Sequence, residues 1–201
     1  MGLDVSYYSN VRRIPDEEIP QGVEPFNASY DEWSSGYNDK GISLYYLDPE
    51  RTPFGGHMKG LEPGWYEVPS GWETGYLRGG SYSGYNTWRN DLALAAGYPG
   101  GSEEVWEIGQ DKLYQPDSPP FLELINFSDA EGVIGPDISK KLYDDFVNYE
   151  NKVKKEVDNW YLKIHPTKEY SVNDSKWFLS KYDEWKEAFK TASNGGFVSF
   201  H

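Results

Sequence analysis

The last third of the chain carries two long stripes of large apolar residues at helical spacing, and these stripes most constrain its fold. Apolar side chains that recur every three or four positions lie on one face of an α-helix. The first stripe consists of Leu142, Phe146, Tyr149, Val153, Val157, Trp160 and Ile164, and the second of Phe178, Tyr182, Trp185, Phe189 and Ala192. The spacing predicts two amphipathic helices, the first over Ile138 to Ile164.

The boundaries of these helices follow from capping residues. Asp137 is the predicted N-cap of the first helix, because its carboxylate can accept hydrogen bonds from free backbone N–H groups of the first turn. The second helix is predicted to begin after Asn173 or Asp174. A connection of about ten residues around Pro166 is ample for two neighbouring helices to pack antiparallel. We therefore expect an antiparallel helical hairpin.

Short strands separated by turns are predicted in residues 1 to 136, and one more strand is predicted at the end of the chain. Alternating or compact apolar runs indicate the first four at Leu3–Ile14, Ile42–Leu47, Gly64–Val68 and Phe121–Phe127, and the last at Phe197–Phe200. The strand at 121–127 is expected to be central and the one at 197–200 to lie at a sheet edge. Helical spacing predicts a helix at Tyr85–Ala96, ended by Gly97.

The region from residue 48 to 120 combines many glycines and prolines with many aromatic residues. Disordered segments are poor in aromatic residues, so this region is expected to be folded and rich in loops. The chain therefore predicts a single α+β domain over residues 1–201. Its strand- and loop-rich part covers residues 1–136 and contains a small mixed or antiparallel sheet. Residues 137–201 form the helical hairpin and the terminal strand.

The charge and the absence of cysteine exclude several classes of function. Nineteen Lys and Arg against 33 Asp and Glu give a net charge of −14, which repels nucleic acids and anionic lipids. A chain without cysteine has no disulfides, thiolate metal sites or cysteine nucleophiles. No apolar run approaches the roughly 18 residues of a membrane span. We expect a cytoplasmic protein that binds neither nucleic acid nor membrane.

The first candidate site is the block from Gly79 to Arg89, together with the preceding Arg78. Arginines beside a glycine-rich turn that opens a helix predict an anion site, because free N–H groups there favour phosphate or carboxylate. The block also supplies hydroxyls, aromatic rings and an amide, from Ser81, Tyr82, Ser83, Tyr85 and Asn86. The alternative is an aromatic-packed turn in which Arg89 pairs with an acid at the edge of the core.

The second candidate site is the turn after the apolar run at 121–127. Its polar residues are Asn126, Ser128, Asp129 and Glu131. Such carboxylates can hold Mg²⁺ or Ca²⁺, or bind sugar hydroxyls. The alternative is that Asp129 and Glu131 cap the turn and offset a nearby arginine. If both blocks meet, arginines, acids and tyrosines together would recognise a nucleotide-like ligand.

Three blocks resemble a family of uncharacterised phage and prophage proteins: Met1–Asp4, Gly79–Arg89 and Glu123–Pro136. The resemblance continues through 142–146 and 177–185 to the C-terminus, so it covers most of the chain, and residues 15–75 match least. It implies a phage origin and a place of action in the bacterial host cytosol. It supplies no catalytic residues.

The leading hypothesis is a non-enzymatic phage protein that sequesters a small host ligand, such as a nucleotide-derived immune signal, without a cofactor. The clustered Arg, Tyr, Ser and acidic residues motivate it, and a homo-oligomer is expected because such binding proteins often form pockets between subunits. One alternative is a metal-assisted hydrolase or phosphodiesterase that uses Asp129 and Glu131. The other is an acidic protein that inhibits a host defence enzyme.

Overall fold

The computed structural model describes residues 2–19, 33–37, 43–50, 54–68, 74–108, 110–115, 117–164 and 168–201. Within these ranges the protein is a mixture of helices and antiparallel sheets, which confirms the predicted α+β class. The chain divides into two units by contacts. The first consists of Met1–Asp4, Leu77–Ala130 and Lys141–Glu187, and the second of Val5–Tyr76, Glu131–Lys140 and Ala188–His201.

Two four-stranded sheets occur in the described ranges. Their strands are β1 (Gly2–Tyr8), β2 (Arg12–Arg13), β3 (Trp33–Tyr37), β4 (Ser43–Leu47), β5 (Gly64–Glu67), β6 (Thr74–Ser81), β7 (Gly132–Ile134) and β8 (Phe197–Phe200). The strand orders are β6-β1-β8-β7 and β2-β5-β4-β3. The pairs β1/β8, β7/β8, β2/β5, β3/β4 and β4/β5 are antiparallel. The sequence predicted one small mixed or antiparallel sheet, whereas the described part of the chain forms two sheets.

Five α-helices occur in the same ranges. They are α1 (Tyr82–Ala96), α2 (Gly101–Glu107), α3 (Leu122–Ile125), α4 (Pro136–Ile164) and α5 (Lys168–Ala192). Short 3-10 helices cover Asp16–Glu18, Gly55–Met58 and Gln110–Lys112. None of the helices in the described part of the chain has both the length and the apolar character needed to cross a membrane.

The predicted strand over Leu3–Ile14 is interrupted, and its two pieces belong to different sheets. Asn10 adopts a left-handed backbone with φ of 52°, which ends β1 before β2 begins. The turn is held by the second unit's C-terminal segment, because Asn10 N donates to Asn194 O and Val11 N to Gly195 O, both at 2.9 Å. Asparagine tolerates this conformation better than most residues.

The predicted central strand at Phe121–Phe127 is wrong, because this segment contains the helix α3. Phe121 has a left-handed φ of 59°, and its N–H donates to Asp145 Oδ2 at 2.8 Å. Helical bonds follow, with Ile125 N donating to Phe121 O at 3.0 Å. Leu122–Ile125 is buried throughout. A short apolar run that is buried on all sides does not distinguish strand from helix by periodicity.

The terminal strand β8 is confirmed, but it does not lie at a sheet edge. Val5 of β1 and Gly132 of β7 both pair with Phe200, so β8 lies between two strands. All four residues of β8 are buried. A strand covered on both faces is rich in apolar residues, and this explains Phe197, Val198 and Phe200 but not the buried Ser199.

The two long helices are confirmed, and their N-terminal boundaries differ from the prediction. The helix α4 begins at Pro136, so Asp137 lies in its first turn and is not the N-cap. Ser139 N donates to Gly135 O at 2.9 Å, which makes Gly135 the N-cap, and proline is favoured at the position that follows. The helix α5 begins at Lys168, before the predicted start at 173 or 174.

Contacts between α4 and α5 run in opposite chain directions, as expected for an antiparallel pair. The rings of Phe146 and Tyr182 lie 4.7 Å apart, and Tyr182 Oη donates to Phe146 O at 2.7 Å. Further along α4, Asp158 Oδ1 accepts from Ser175 Oγ at 2.5 Å. Pro166, the expected connection, lies outside the described residues.

Stacked aromatic rings fix α1 against α5 in the first unit. Trp88 lies 5.9 Å from Trp185 and 5.8 Å from Phe178, and Tyr85 lies 5.5 Å from Trp185. All four side chains are fully buried. Burial of rings this large dominates core energetics, so the position of α1 is set by this cluster.

Candidate functional site

The first candidate block forms the junction between β6 and α1. Ser81 is the N-cap of α1, because its Oγ accepts from Gly84 N at 3.0 Å. Gly80 has a left-handed φ of 106°, which disfavours any residue with a Cβ atom. A Cβ atom at Gly79 would lie 2.8 Å from the Leu3 side chain. Glycines are therefore required here by the turn and by close packing.

Four of the predicted ligand-binding residues lie on the surface of this junction. Arg78, Ser81 and Ser83 are exposed, and Tyr82 is half-buried. The hydroxyls of Ser81 and Ser83 lie 3.2 Å apart. A second cation is close, because Lys181 Nζ donates to Arg78 O at 2.8 Å and also pairs with Glu184 Oε2 at 2.7 Å. We call the group of Arg78, Ser81, Tyr82, Ser83 and Lys181 the junction surface.

Tyr85, in contrast, belongs to the core. Its side chain is 0% exposed and packs against Trp88 and Trp185. Burial raises the pKa of the Tyr85 hydroxyl well above its ordinary value, since an ionised phenol would be poorly solvated there. Its ring also lies under the Arg89 guanidinium, 4.6 Å from centroid to Cζ. The neutral phenol is therefore a packing element.

Arg89 is buried as well, with 5% of its surface exposed. Its Nη1 donates to Phe127 O at 2.5 Å and to Ile125 O at 3.2 Å. Its Nη2 donates to Asn86 Oδ1. The guanidinium therefore binds the C-terminal end of α3 to α1. This geometry is closer to the alternative in which Arg89 pairs with an acid at the edge of the core than to a role of Arg89 in binding a ligand.

The guanidinium of Arg89 is linked to the carboxylate of Asp129 through the side-chain amide of Asn86. Asn86 accepts from Arg89 and donates through Nδ2 to Asp129 Oδ2 at 2.6 Å. The two candidate blocks thus lie in contact at Asn86–Asp129, and Arg89 binds the apolar run that precedes the second block. The polar atoms that join the blocks bind each other, so Tyr85, Asn86, Arg89 and Asp129 hold the first unit together.

The remaining residues of the second block shape its turn. Asn126 Nδ2 donates to Leu122 O at 3.1 Å, and Ser128 Oγ accepts from Ala130 N at 3.2 Å. Glu131 is exposed and falls in the second unit, whereas Asp129 falls in the first. In the part of the chain that the structure describes, no group of three or more His, Asp or Glu side chains is placed to hold a metal ion.

An ionic network that the sequence pattern did not predict surrounds Lys141. Lys141 Nζ lies 2.6 Å from Glu123 Oε2 and 2.8 Å from Asp145 Oδ2, and it donates to Pro119 O at 2.8 Å. Glu123 is 0% exposed. A single acid inside the apolar run at 121–127 was the available signal, because a buried carboxylate requires a cation or hydrogen-bond donors.

Asp145 belongs to the same network and is the group with a perturbed titration. Its side chain is 14% exposed, and burial raises its pKa above the ordinary value, although Lys141 opposes that effect. The Phe121 N–H also donates to it at 2.8 Å. The network thus holds the left-handed start of α3 against α4.

A cleft of about 340 Å³ opens between α1 and α4, away from both predicted blocks. It is lined by Asp91, Leu94, Ala95, Pro99, Glu156, Val157 and Asn159. We call it the α1–α4 cleft. Asp91, an acid of α1 beside the apolar segment Leu92–Ala96, is only 9% exposed.

No protein-family model matches the chain, and neither the curated proteins nor the solved structures contain a match to it.

Proposed function

We propose that the protein is a non-enzymatic binding protein that holds a small anionic, nucleotide-like ligand on the junction surface. The observation that carries this proposal is the exposed Arg78 beside the N-terminus of α1, with Lys181 in contact with the same stretch of backbone at 2.8 Å. The first N–H groups of a helix lack intrahelical acceptors and attract anions. No acidic residue lies in the first turn of α1.

The chemistry of the junction surface supports a phosphate-bearing ligand. A guanidinium forms charge-assisted bonds with phosphate oxygens, and the hydroxyls of Ser81 and Ser83 can donate to the same group. A half-buried tyrosine, Tyr82, offers a ring on which a base can stack. Above Gly80 no atom lies within 4 Å of a Cβ position, so the backbone there is open to a ligand.

This proposal uses a smaller set of residues than the sequence indicated. Arg78, Ser81, Tyr82 and Ser83 remain as ligand contacts, whereas Arg89 and Tyr85 support the helix from below. With the resemblance to phage proteins, the proposed role is sequestration of a nucleotide-derived immune signal of the bacterial host, in its cytosol. Such an anti-defence protein needs tight binding and no turnover.

Isothermal titration calorimetry against inorganic phosphate, cyclic dinucleotides and ADP-ribose tests the proposal. We expect at least one nucleotide to bind more tightly than phosphate, and Arg78→Ala to weaken it at least tenfold. Lys176→Ala is the matched control, because Lys176 is an exposed cation on α5, and it should leave affinity unchanged. Binding by none of the probes, or equal loss in both variants, overturns the proposal.

Mass spectrometry of the ligand recovered after incubation separates binding from catalysis. We expect the nucleotide to be recovered intact. Conversion of the nucleotide, abolished by Glu131→Gln but not by Arg78→Ala, would contradict a purely binding role and favour a hydrolase.

A further inference from the structure

The α1–α4 cleft has an apolar floor and a polar rim. Leu94 and Ala95 of α1 and Val157 of α4 supply aliphatic surface, and Glu156 and Asn159 carry the polar groups of the α4 side. Its volume of about 340 Å³ lies at the lower end of the range for small-molecule pockets. The cleft is therefore of a size for a short aliphatic molecule.

The ionisable residues that line the cleft in the described part of the chain are two acids, Asp91 and Glu156. Glu156 and Asn159 are exposed and make no hydrogen bond or ion pair within the described ranges. Their polar atoms are thus available to a ligand, whereas Asp91 lies deeper, at 9% exposure.

The cations that directly precede the lining residues of α4 are Lys152, Lys154 and Lys155, and Lys154 is paired with Glu150 at 2.6 Å. Lys152 Nζ donates to Ala96 O at 2.6 Å and lies 5.6 Å from the Tyr149 ring centroid, so it is held at the end of α1. Lys155 is exposed. The C-terminal end of α1 already binds one ammonium group, as expected at the negative end of a helix dipole.

We propose that the α1–α4 cleft binds an aliphatic ammonium, with the charged group on Glu156 and Asn159 at the rim and the alkyl chain on Leu94, Ala95 and Val157. A divalent metal would need about six oxygen ligands, more than two carboxylates and an amide supply. An anion would meet two carboxylates. This site is independent of the junction surface, because it lies at the other end of α1 and selects the opposite charge.

Titration of the protein with pentane-1,5-diamine, followed by NMR or calorimetry, tests this site. We expect saturable one-site binding, with pentane-1,5-diol, the uncharged equivalent, binding at least tenfold more weakly. Glu156→Gln should weaken the diamine at least fivefold. Glu103→Gln is the matched control, because it removes one exposed carboxylate on α2 and should leave affinity unchanged.

Equal weakening by Glu156→Gln and Glu103→Gln would show non-specific attraction to an acidic protein and overturn the proposal, as would equal affinity for the diol. Asn159→Lys provides a second variant at an exposed position, where folding is not at risk. It supplies an ammonium at the rim and should abolish diamine binding while the circular dichroism spectrum stays unchanged. Retained binding would contradict the assignment.

The same chemistry occurs in free amines and in lysine side chains. Comparison of the diamine with the peptide Gly-Lys-Gly distinguishes these sources. Tighter binding of the diamine indicates a free amine, and tighter binding of the peptide indicates a basic protein partner. If neither binds, the cleft is not an ammonium site.

Discussion

Two cations, the buried Arg89 and the partly buried Lys141, bind the loops of the first unit to its helices. Arg89 donates to the carbonyls of Ile125 and Phe127, and Lys141 donates to the carbonyl of Pro119 and to Glu123. Lys141 therefore binds residues at the start of α3, and Arg89 binds residues at its end. A buried cation with several acceptors stabilises a loop only while all of its partners are satisfied.

Replacement of Arg89 by Lys tests the structural role of the guanidinium. Lysine keeps the charge but lacks the planar fork, so it cannot bind Ile125 O, Phe127 O and Asn86 together. We expect the free energy of unfolding to fall by about 2 kcal/mol, measured by urea denaturation. Arg78→Lys, at an exposed position, should change stability by less than about 0.5 kcal/mol. Equal stability of both variants would contradict the role given to Arg89.

Removal of the Lys141 cation should lower the free energy of unfolding by more than the replacement of Arg89 by Lys. Lys141→Met leaves the fully buried Glu123 and the adjacent Asp145 without a counter-ion. Breaking such a buried pair costs about 3 kcal/mol or more, which thermal denaturation would detect as a large fall in Tm. The control is Lys176→Met on the exposed side of α5. A Lys141 variant as stable as this control would show that the network is not structural.

The titration of Asp145 gives a pH dependence with a defined sign. Its pKa is raised in the folded protein, and burial is the main cause. The folded state therefore holds the proton more strongly than the unfolded state. The contribution of this group is therefore most favourable below the unfolded pKa of about 3.9 and is lost as the pH rises through the folded value. We expect the stability of the protein relative to Asp145→Asn to decrease from pH 4 to neutral pH. An opposite slope in urea denaturation at several pH values would contradict the direction of the shift.

At the scale of elements, α1 carries opposite features at its two ends. Ser81 and the exposed Arg78 mark its start, and Gly97 ends it with a left-handed φ of 111° and bonds to Ala93 O and Leu94 O at 3.1 Å. Lys152 binds the carbonyl of the adjacent Ala96. One helix thus offers an anion-attracting end and a cation-attracting end.

Gly97→Ala tests the C-terminal end of α1. The left-handed conformation costs an L-residue about 1 kcal/mol, and the added Cβ would lie 2.6 Å from Lys152 Nζ. We expect a loss of about 1–2 kcal/mol in urea denaturation. In a Lys152→Met background the contact with the ammonium is absent, so the loss should shrink towards the backbone contribution alone. A loss that is equal in both backgrounds would show that Lys152 moves freely away.

The elements that were predictable from the sequence are those in which apolar residues recur at a regular spacing. The long apolar stripes, such as Phe146 to Val157, gave both C-terminal helices, because helical spacing persists over many turns. The run at Phe121–Phe127 has no period, and its helical form depends on Asp145, a residue distant in sequence. The break of β1 depends on contacts of Asn10 with the C-terminal turn. Long-range contacts of this kind leave no local pattern.

The candidate site illustrates the same limit. Arg78 and Arg89 are equivalent in a sequence reading, since both flank a glycine-rich turn. In the fold, the α-helical spacing carries Arg89 under α3, where it meets carbonyl groups, while the strand leaves Arg78 exposed. Asp91 and Glu156 lie 65 positions apart, and only the packing of α1 on α4 brings them to one cleft.

At the scale of the whole molecule, the net charge of −14 acts differently on the two proposed ligands. The long-range field attracts a diamine to the α1–α4 cleft and reinforces the local carboxylates. For an anion at the junction surface, the same field opposes the attraction of Arg78 and Lys181. Added salt screens both the field and the local charges.

Salt dependence therefore separates the two sites. Raising NaCl from about 20 to about 200 mM shortens the Debye length from roughly 20 to roughly 7 Å. The affinity of pentane-1,5-diamine should fall severalfold, because the local and the long-range attraction weaken together. The affinity of a nucleotide that binds at Arg78 should change less, since weaker attraction is offset by weaker repulsion. Calorimetry at both salt concentrations measures this difference, and an equal fall for both ligands would show that the two ends of α1 do not carry opposite selectivity.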